Sequence, residues 1–251
     1  MHFTSEQILD GGVTERGFLL GDVPGILWTP RAASPDMPVP LILMGQPGGI
    51  GMQQMYPRLV ARAQSTAAQG FAAVAIEAPG SGGRPPLPGT EQARTDLRRA
   101  LADGVEPPAD VIDRLILPLV DRAVPEWQAT LDEVLALPEV GAQVGFSGGV
   151  IAIGTRLAAI DARIAAAGLF AGSYVPRATV AEARRVSIPV HVLLQWDDEG
   201  NSREMALELF DAFGSAEKTL HANMGGHTGV PRFAGEDAAR FFARHLLPGL
   251  D

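Results

Sequence analysis

Ser147 stands between glycines in Gly145-Phe146-Ser147-Gly148-Gly149, where the apolar run Ala142–Phe146 gives way to a second, helix-like run. A serine hydroxyl is a poor nucleophile at neutral pH unless a base takes its proton and a third group orients that base. The spacing G-x-S-x-G suits a strand, a tight turn and a helix, with the hydroxyl held clear of the fold. Such a turn is expected to strain the serine backbone, so Gly145 and Gly149 must be small to let neighbouring chain approach. A helix starting directly after the serine would leave the Gly148 amide unpaired and aimed at negative charge developing on a carbonyl oxygen. In a chain with 29 glycines, chance supplies about 0.1 such patterns. The strand before and the helix after therefore carry the reading.

Five histidines compete to be the base. His2 is at a terminus, His191 lies within an apolar strand as a packed residue, and His245 closes the last helix, where its charge suits the dipole. His221 falls in the strand-like Thr219-Leu-His-Ala-Asn223 and reads as structural. His227 sits in Asn223-Met-Gly-Gly-His-Thr-Gly229, a glycine-rich loop expected to be mobile and able to reach Ser147. The orienting acid should come from a loop between nucleophile and base. Trp196-Asp-Asp-Glu199 follows directly on the strand Pro189–Leu194, at the carboxyl edge where such sheets carry function. Asp198 is the choice, lying in the turn just before Asn201, which with Glu204 would form a capping pair on the following helix. Asp197 stays open as a rival, and a solvated acidic turn is the bland reading of the cluster.

These three residues need a scaffold that brings distant segments together. Apolar runs bounded by Gly or Pro occur at Gly25–Thr29, Pro40–Met44, Phe71–Ile76, Ala142–Phe146, Ala165–Phe170 and Pro189–Leu194. They read as strands. Helical stretches lie near Gln53–Gln69, Leu115–Ala136, Gly148–Asp161, Arg177–Arg185, Ser202–Phe213 and Gly235–His245. Alternation of this kind predicts an α/β fold, a mainly parallel sheet with helices on both faces. One domain, 1–251, accommodates it, since no composition break divides the chain. From Gly80 to about Asp113 the alternation fails: a Gly/Pro-rich stretch, a short helix at Glu91–Ala102 and Pro107-Pro108 read as a lid-like excursion.

Composition narrows the partners. A net charge of −9 without a Lys/Arg run disfavours nucleic acid and anionic membranes, leaving small molecules. The amino-terminal residues show no signal-peptide pattern and no run is long enough to span a bilayer, which points to the cytoplasm. The absence of cysteine excludes disulfides, thiolate metal sites and a cysteine nucleophile.

With the order Ser147, Asp198, His227 in place, the chain resembles the α/β-hydrolase family over essentially its whole length. Leu41-Ile-Leu-Met-Gly-Gln-Pro-Gly-Gly49 is similar to that family's strand and His-Gly-x-Pro-Gly oxyanion loop, with Met44 at the position of the usual histidine. Ala78-Pro-Gly-Ser-Gly-Gly83 resembles the turn after the next strand. The small-esterase and dienelactone-hydrolase-like branches look most similar, the latter's cysteine being replaced here by Ser147. The resemblance implies an α/β-hydrolase fold with a short lid and a Ser147–His227–Asp198 triad. It also implies an oxyanion hole of the Gln46 and Gly148 amides, and cleavage of a small carboxylic ester or lactone through an acyl-enzyme. No cofactor or metal is implied. Met52 and Phe146 are expected among the apolar residues of the acyl pocket. Two other classes stay in view: a lyase, cyclase or binding protein on the same scaffold, and, more remotely, a nucleotide-binding α/β protein using Gly45–Gly51. The latter lacks both G-x-G-x-x-G and the Lys-bearing phosphate loop.

Overall fold

The computed structural model describes residues 1–199 and 201–247. Nine strands form one open sheet: β1 (His2–Leu9), β2 (Val13–Leu20), β3 (Val23–Pro30), β4 (Val39–Gly45), β5 (Ala72–Ile76), β6 (Val140–Gly148), β7 (Ile164–Phe170), β8 (Val190–Gln195) and β9 (Lys218–Asn223). Their spatial order is β1-β2-β3-β5-β4-β6-β7-β8-β9. β1, β2, β3 and β5 pair antiparallel in turn. From β5 to β9 every pairing is parallel. The strands read from apolar runs are all present. β1 and β2 were not expected, because β1 is mostly solvated and β2 alternates charged with apolar side chains, so neither makes the continuous apolar run of a strand buried on both faces.

Among the described residues seven helices cover the sheet: α1 (Met52–Ala67), α2 (Thr90–Ala102), α3 (Ala109–Val134), α4 (Ile151–Ile160), α5 (Arg177–Ala183), α6 (Arg203–Ala212) and α7 (Arg232–Leu246). Apolar side chains of α3 to α6 pack with one face of the sheet. Those of α1 and α7 pack with the other, where Leu59 and Ala63 share one core with Phe241 and Phe242. Parallel neighbours require long crossovers, and these helices supply them. The helix α6 is capped by Ser202, whose hydroxyl accepts from the Met205 amide at 3.3 Å. The expected Asn201 cap is therefore corrected: its amide instead donates to the Ala171 carbonyl, tying the acidic turn to the end of β7.

The excursion after β5 is fastened at its base. Arg84 donates to both carboxylate oxygens of Glu126 on α3, at 2.8 and 2.6 Å, and to the Glu77 carbonyl at 2.8 Å. Both side chains of the ion pair are buried. Its short helix α2 then packs on α3 through Ala93 and Ala100. Among the described residues no helix is long and apolar enough to cross a membrane.

Candidate active site

Ser147 lies on β6, the strand between β4 and β7, so the carboxyl ends of three parallel strands surround it. Gly145 needs its lack of a side chain: an added Cβ would stand 2.8 Å from Phe242 and 2.9 Å from Leu246. Gly149 does not, since a Cβ there would meet open space. The expected strain is also displaced by one residue. Ser147 does not have a positive φ, whereas Gly148 adopts φ 118° and a Cβ on it would approach the Gly45 carbonyl at 2.8 Å. Strand β6 continues through Gly148 and α4 starts only at Ile151. Gly148 is thus the end of a strand, not the start of a helix, because the register with Gly45 and Leu169 carries the ladder past the serine.

His227 is carried by the loop after β9, which is pinned, contrary to the expected mobility. Gln195 donates from its side chain to the Gly226 carbonyl at 3.0 Å, the Asp197 amide donates to the Gly225 carbonyl at 3.1 Å, and the Gly225 amide donates to the Asp197 carboxylate at 3.1 Å. The parallel pairing of β8 and β9 runs to Gln195 opposite Asn223, so the acidic turn and the histidine loop leave the sheet side by side. The Asp198 carboxylate, almost wholly buried, sits 2.8 Å from His227 Nδ1. The two aspartates thus divide the work: Asp197 braces the loop and Asp198 meets the imidazole. Glu199 is exposed and makes neither contact. The His227 ring also stands edge-on to Phe170, with centroids 5.4 Å apart. Gly172 makes room for both, as a Cβ there would lie 2.2 Å from Phe170 and 2.9 Å from His227.

Ser147 and His227 line one cavity of about 610 Å³, without a hydrogen bond between them. Distances of this kind commonly tighten only when substrate fills the site. The loop after β4 contributes Gly45, Pro47, Gly48 and Gly49. Gln46 is buried between them, its side-chain amide donating to the Ile76 carbonyl at 2.8 Å. The excursion and α3 supply Leu87, Leu115, Ile116 and Leu119 to the opposite wall. Met52 and Phe146 do not line it. Met52 is packed in the α1–α7 core, and Phe146 is fully buried edge-on to Trp127. Apolar residues near a turn in sequence cannot be told from core residues without the fold.

Arg62 on α1 is a participant that sequence reasoning missed. Its guanidinium donates to the Gly45 carbonyl at 3.1 Å and to the Ser147 carbonyl at 2.9 Å, clasping the ends of β4 and β6. Burial, and then the nearby Arg58 charge, push its pKa down to about 10, so it stays charged at neutral pH. The other histidines fall elsewhere. His221 lies on β9, off the cavity wall, with its ring 3.2 Å from Asp237. His245, in the last turn of α7, is 3.3 Å from Glu217. His191 is buried as expected but also reaches the cavity wall. Burial, reinforced by His221, pushes its pKa down to about 4, and Nδ1 shares a hydrogen bond of 2.9 Å with the Thr219 hydroxyl.

No protein-family model matches the chain, and no curated protein matches it in sequence. Solved structures do. A dienelactone hydrolase from Anabaena variabilis ATCC 29413 is 17% identical, with 96% of this chain and 98% of that one covered at a TM-score of 0.57. An acetyl xylan esterase from Paenibacillus sp. R4 is 16% identical over 98% of this chain and 88% of that one, at 0.64. With the strand order and the open, mostly parallel sheet, these matches define the class: the chain has the α/β-hydrolase fold. A cold-adapted esterase from an Arctic intertidal metagenomic library is similar in sequence as well, at 28% identity over 98% of this chain and 100% of that one, with a TM-score of 0.76.

Proposed function

We propose that this chain is a carboxylic ester hydrolase that cleaves small esters or lactones through an acyl-enzyme on Ser147. The observation that carries the reading is the contact of 2.8 Å between the buried Asp198 carboxylate and His227 Nδ1, beside a cavity that Ser147 shares. With Nδ1–H donating to Asp198, His227 Nε2 is the free base. It takes the Ser147 proton as the hydroxyl oxygen attacks the substrate carbonyl, then returns it to the leaving alcohol. Asp198 holds that tautomer and stabilises the imidazolium. The oxyanion donors are the amides of Gln46, from the loop after β4, and of Gly148, from the end of β6. Donors of this kind are typically worth about 3 to 4 kcal/mol each in the transition state. The cold-adapted esterase similar to this chain over its whole length supports the reaction class. In this reading residues 1–251 act as one domain, with the excursion at about 80–113 closing the cavity as a fixed wall.

The direct test is turnover of short-chain 4-nitrophenyl esters by the wild type and by Ser147→Ala. The variant should fold, with an unchanged circular dichroism spectrum, and lose turnover; near-wild-type activity in it would exclude Ser147 as nucleophile.

A further inference from the structure

The cavity has the wrong sign of charge for its protein. The chain carries a net charge of −9, yet among the described residues Arg58, Arg62 and Arg94 line the cavity and no aspartate or glutamate does. Arg94 has its own partner in Glu91 on the same helix. Arg58 and Arg62 have none: among the described residues neither meets a carboxylate, and Arg62 spends its contacts on two carbonyl oxygens. The two stand four residues apart on α1, and so on one face of that helix. The Arg58 charge therefore opposes that of Arg62, adding to the burial that already penalises the Arg62 cation. Arg62 is partly buried and holds its charge against carbonyl oxygens alone, while Arg58 is exposed at the cavity rim with no carboxylate partner. A guanidinium has five N–H donors, and the two carbonyls leave Arg62 with others to give. His191, elsewhere in the lining, is neutral near pH 7 and adds no charge of either sign.

We propose that the α1 side of the cavity, at Arg58 and Arg62, is a subsite for a substrate carboxylate, so that the preferred esters carry a free carboxylate besides the scissile bond. A planar carboxylate matches the guanidinium fork in two parallel hydrogen bonds. Arg62 touches the Ser147 carbonyl, so the carboxylate belongs a few bonds from the reacting carbon, as in a monoester of a short dicarboxylic acid. Met55 and Leu59, also on this wall, would cover the methylenes between. This inference rests on the ester-hydrolase reading and names the substrate class for it.

The test compares 4-nitrophenyl hydrogen glutarate with 4-nitrophenyl hexanoate, acyl chains of similar length that differ in the terminal charge. The wild type should favour the glutarate in kcat/KM by about ten- to a hundredfold, the range expected of charge-assisted hydrogen bonds. Arg58→Gln should cut that preference about tenfold, mainly through KM, and Arg58→Lys should retain most of it. Good turnover of hexanoate with no preference for glutarate, or a preference untouched by Arg58→Gln, overturns the subsite while leaving the hydrolase reading intact. If neither ester is cleaved, the hydrolase reading fails and calorimetric titration with glutarate dianion decides the subsite alone. Binding to the wild type that is lost in Arg58→Gln supports it; no binding, or equal binding, overturns it.

Discussion

At the carboxyl edge of this sheet Asp198 meets His227, and Ser147 shares a cavity with that histidine. Asp198 touches His227 Nδ1, whereas Asp197 accepts from the Gly225 amide. Replacing each aspartate by asparagine therefore has different consequences. Asp198→Asn keeps the shape but favours the wrong imidazole tautomer, and turnover should fall by about 10⁴-fold. Asp197→Asn weakens a loop brace and should cost less than about tenfold, as expected for a single exposed hydrogen bond. Steady-state kinetics on one ester reads both, and a larger loss at Asp197 would reverse the assignment. The same comparison separates the histidines. His227→Ala should remove activity, whereas His221→Ala, on β9 and away from the cavity, should change stability more than rate. The G-x-S-x-G spacing singled out Ser147, the glycine-rich loop His227 and the turn after a strand Asp198, with Asp197 left as a rival; the structure sets Asp198 against His227. Arg62 left no such trace, because an arginine in the middle of an amphipathic helix reads as a solvated side chain until the fold shows the carbonyls it reaches.

At the level of elements, the parallel strands and their crossover helices were legible because each is a continuous apolar run or a 3.6-residue pattern. The amino-terminal pair was not, for the opposite reason: β1 is mostly exposed, and β2 interleaves its buried Val13 and Phe18 with a buried Glu15 carboxylate, which accepts from Trp28 Nε1 at 2.6 Å, the Gln7 side chain at 2.7 Å and the Tyr56 hydroxyl at 2.9 Å. The turn at the nucleophile shows a different limit. The sequence pattern requires small residues around Ser147, but only packing decides which glycines are indispensable: Phe242 and Leu246 demand Gly145, and the Gly45 carbonyl demands Gly148. The base of the excursion after β5 is held by a buried ion pair. Arg84→Met would leave the Glu126 carboxylate buried against α3 with only the half-exposed Arg122, 2.7 Å away, as partner. Breaking a buried pair from one side typically costs about 3 to 5 kcal/mol, and the remaining arginine places this case near about 3 on that scale. Urea unfolding would measure it, and an unchanged midpoint would show that the excursion is held by apolar packing alone.

Across the whole molecule, an acidic surface encloses a cavity whose ionised side chains are arginines, and a neutral histidine lies in its wall. His191 couples that wall to pH. Its pKa in the folded chain, about 4, lies below the ordinary 6.5 because burial, and then His221, oppose its charge. Between those values the unfolded chain binds more protons than the folded one, so stability falls as pH drops from about 6.5 toward 4. Thermal melts from pH 7 to pH 5 should show a declining Tm in the wild type and a shallower decline in His191→Gln; parallel slopes would remove His191 from the acid response. The central claim, that Ser147 is an activated nucleophile, has its most direct test in covalent labelling. Incubation with a fluorophosphonate followed by mass spectrometry should show one adduct per chain, on the peptide that contains Ser147, and none in Ser147→Ala or His227→Ala. An unlabelled wild-type chain, or an adduct that persists in Ser147→Ala, would contradict it.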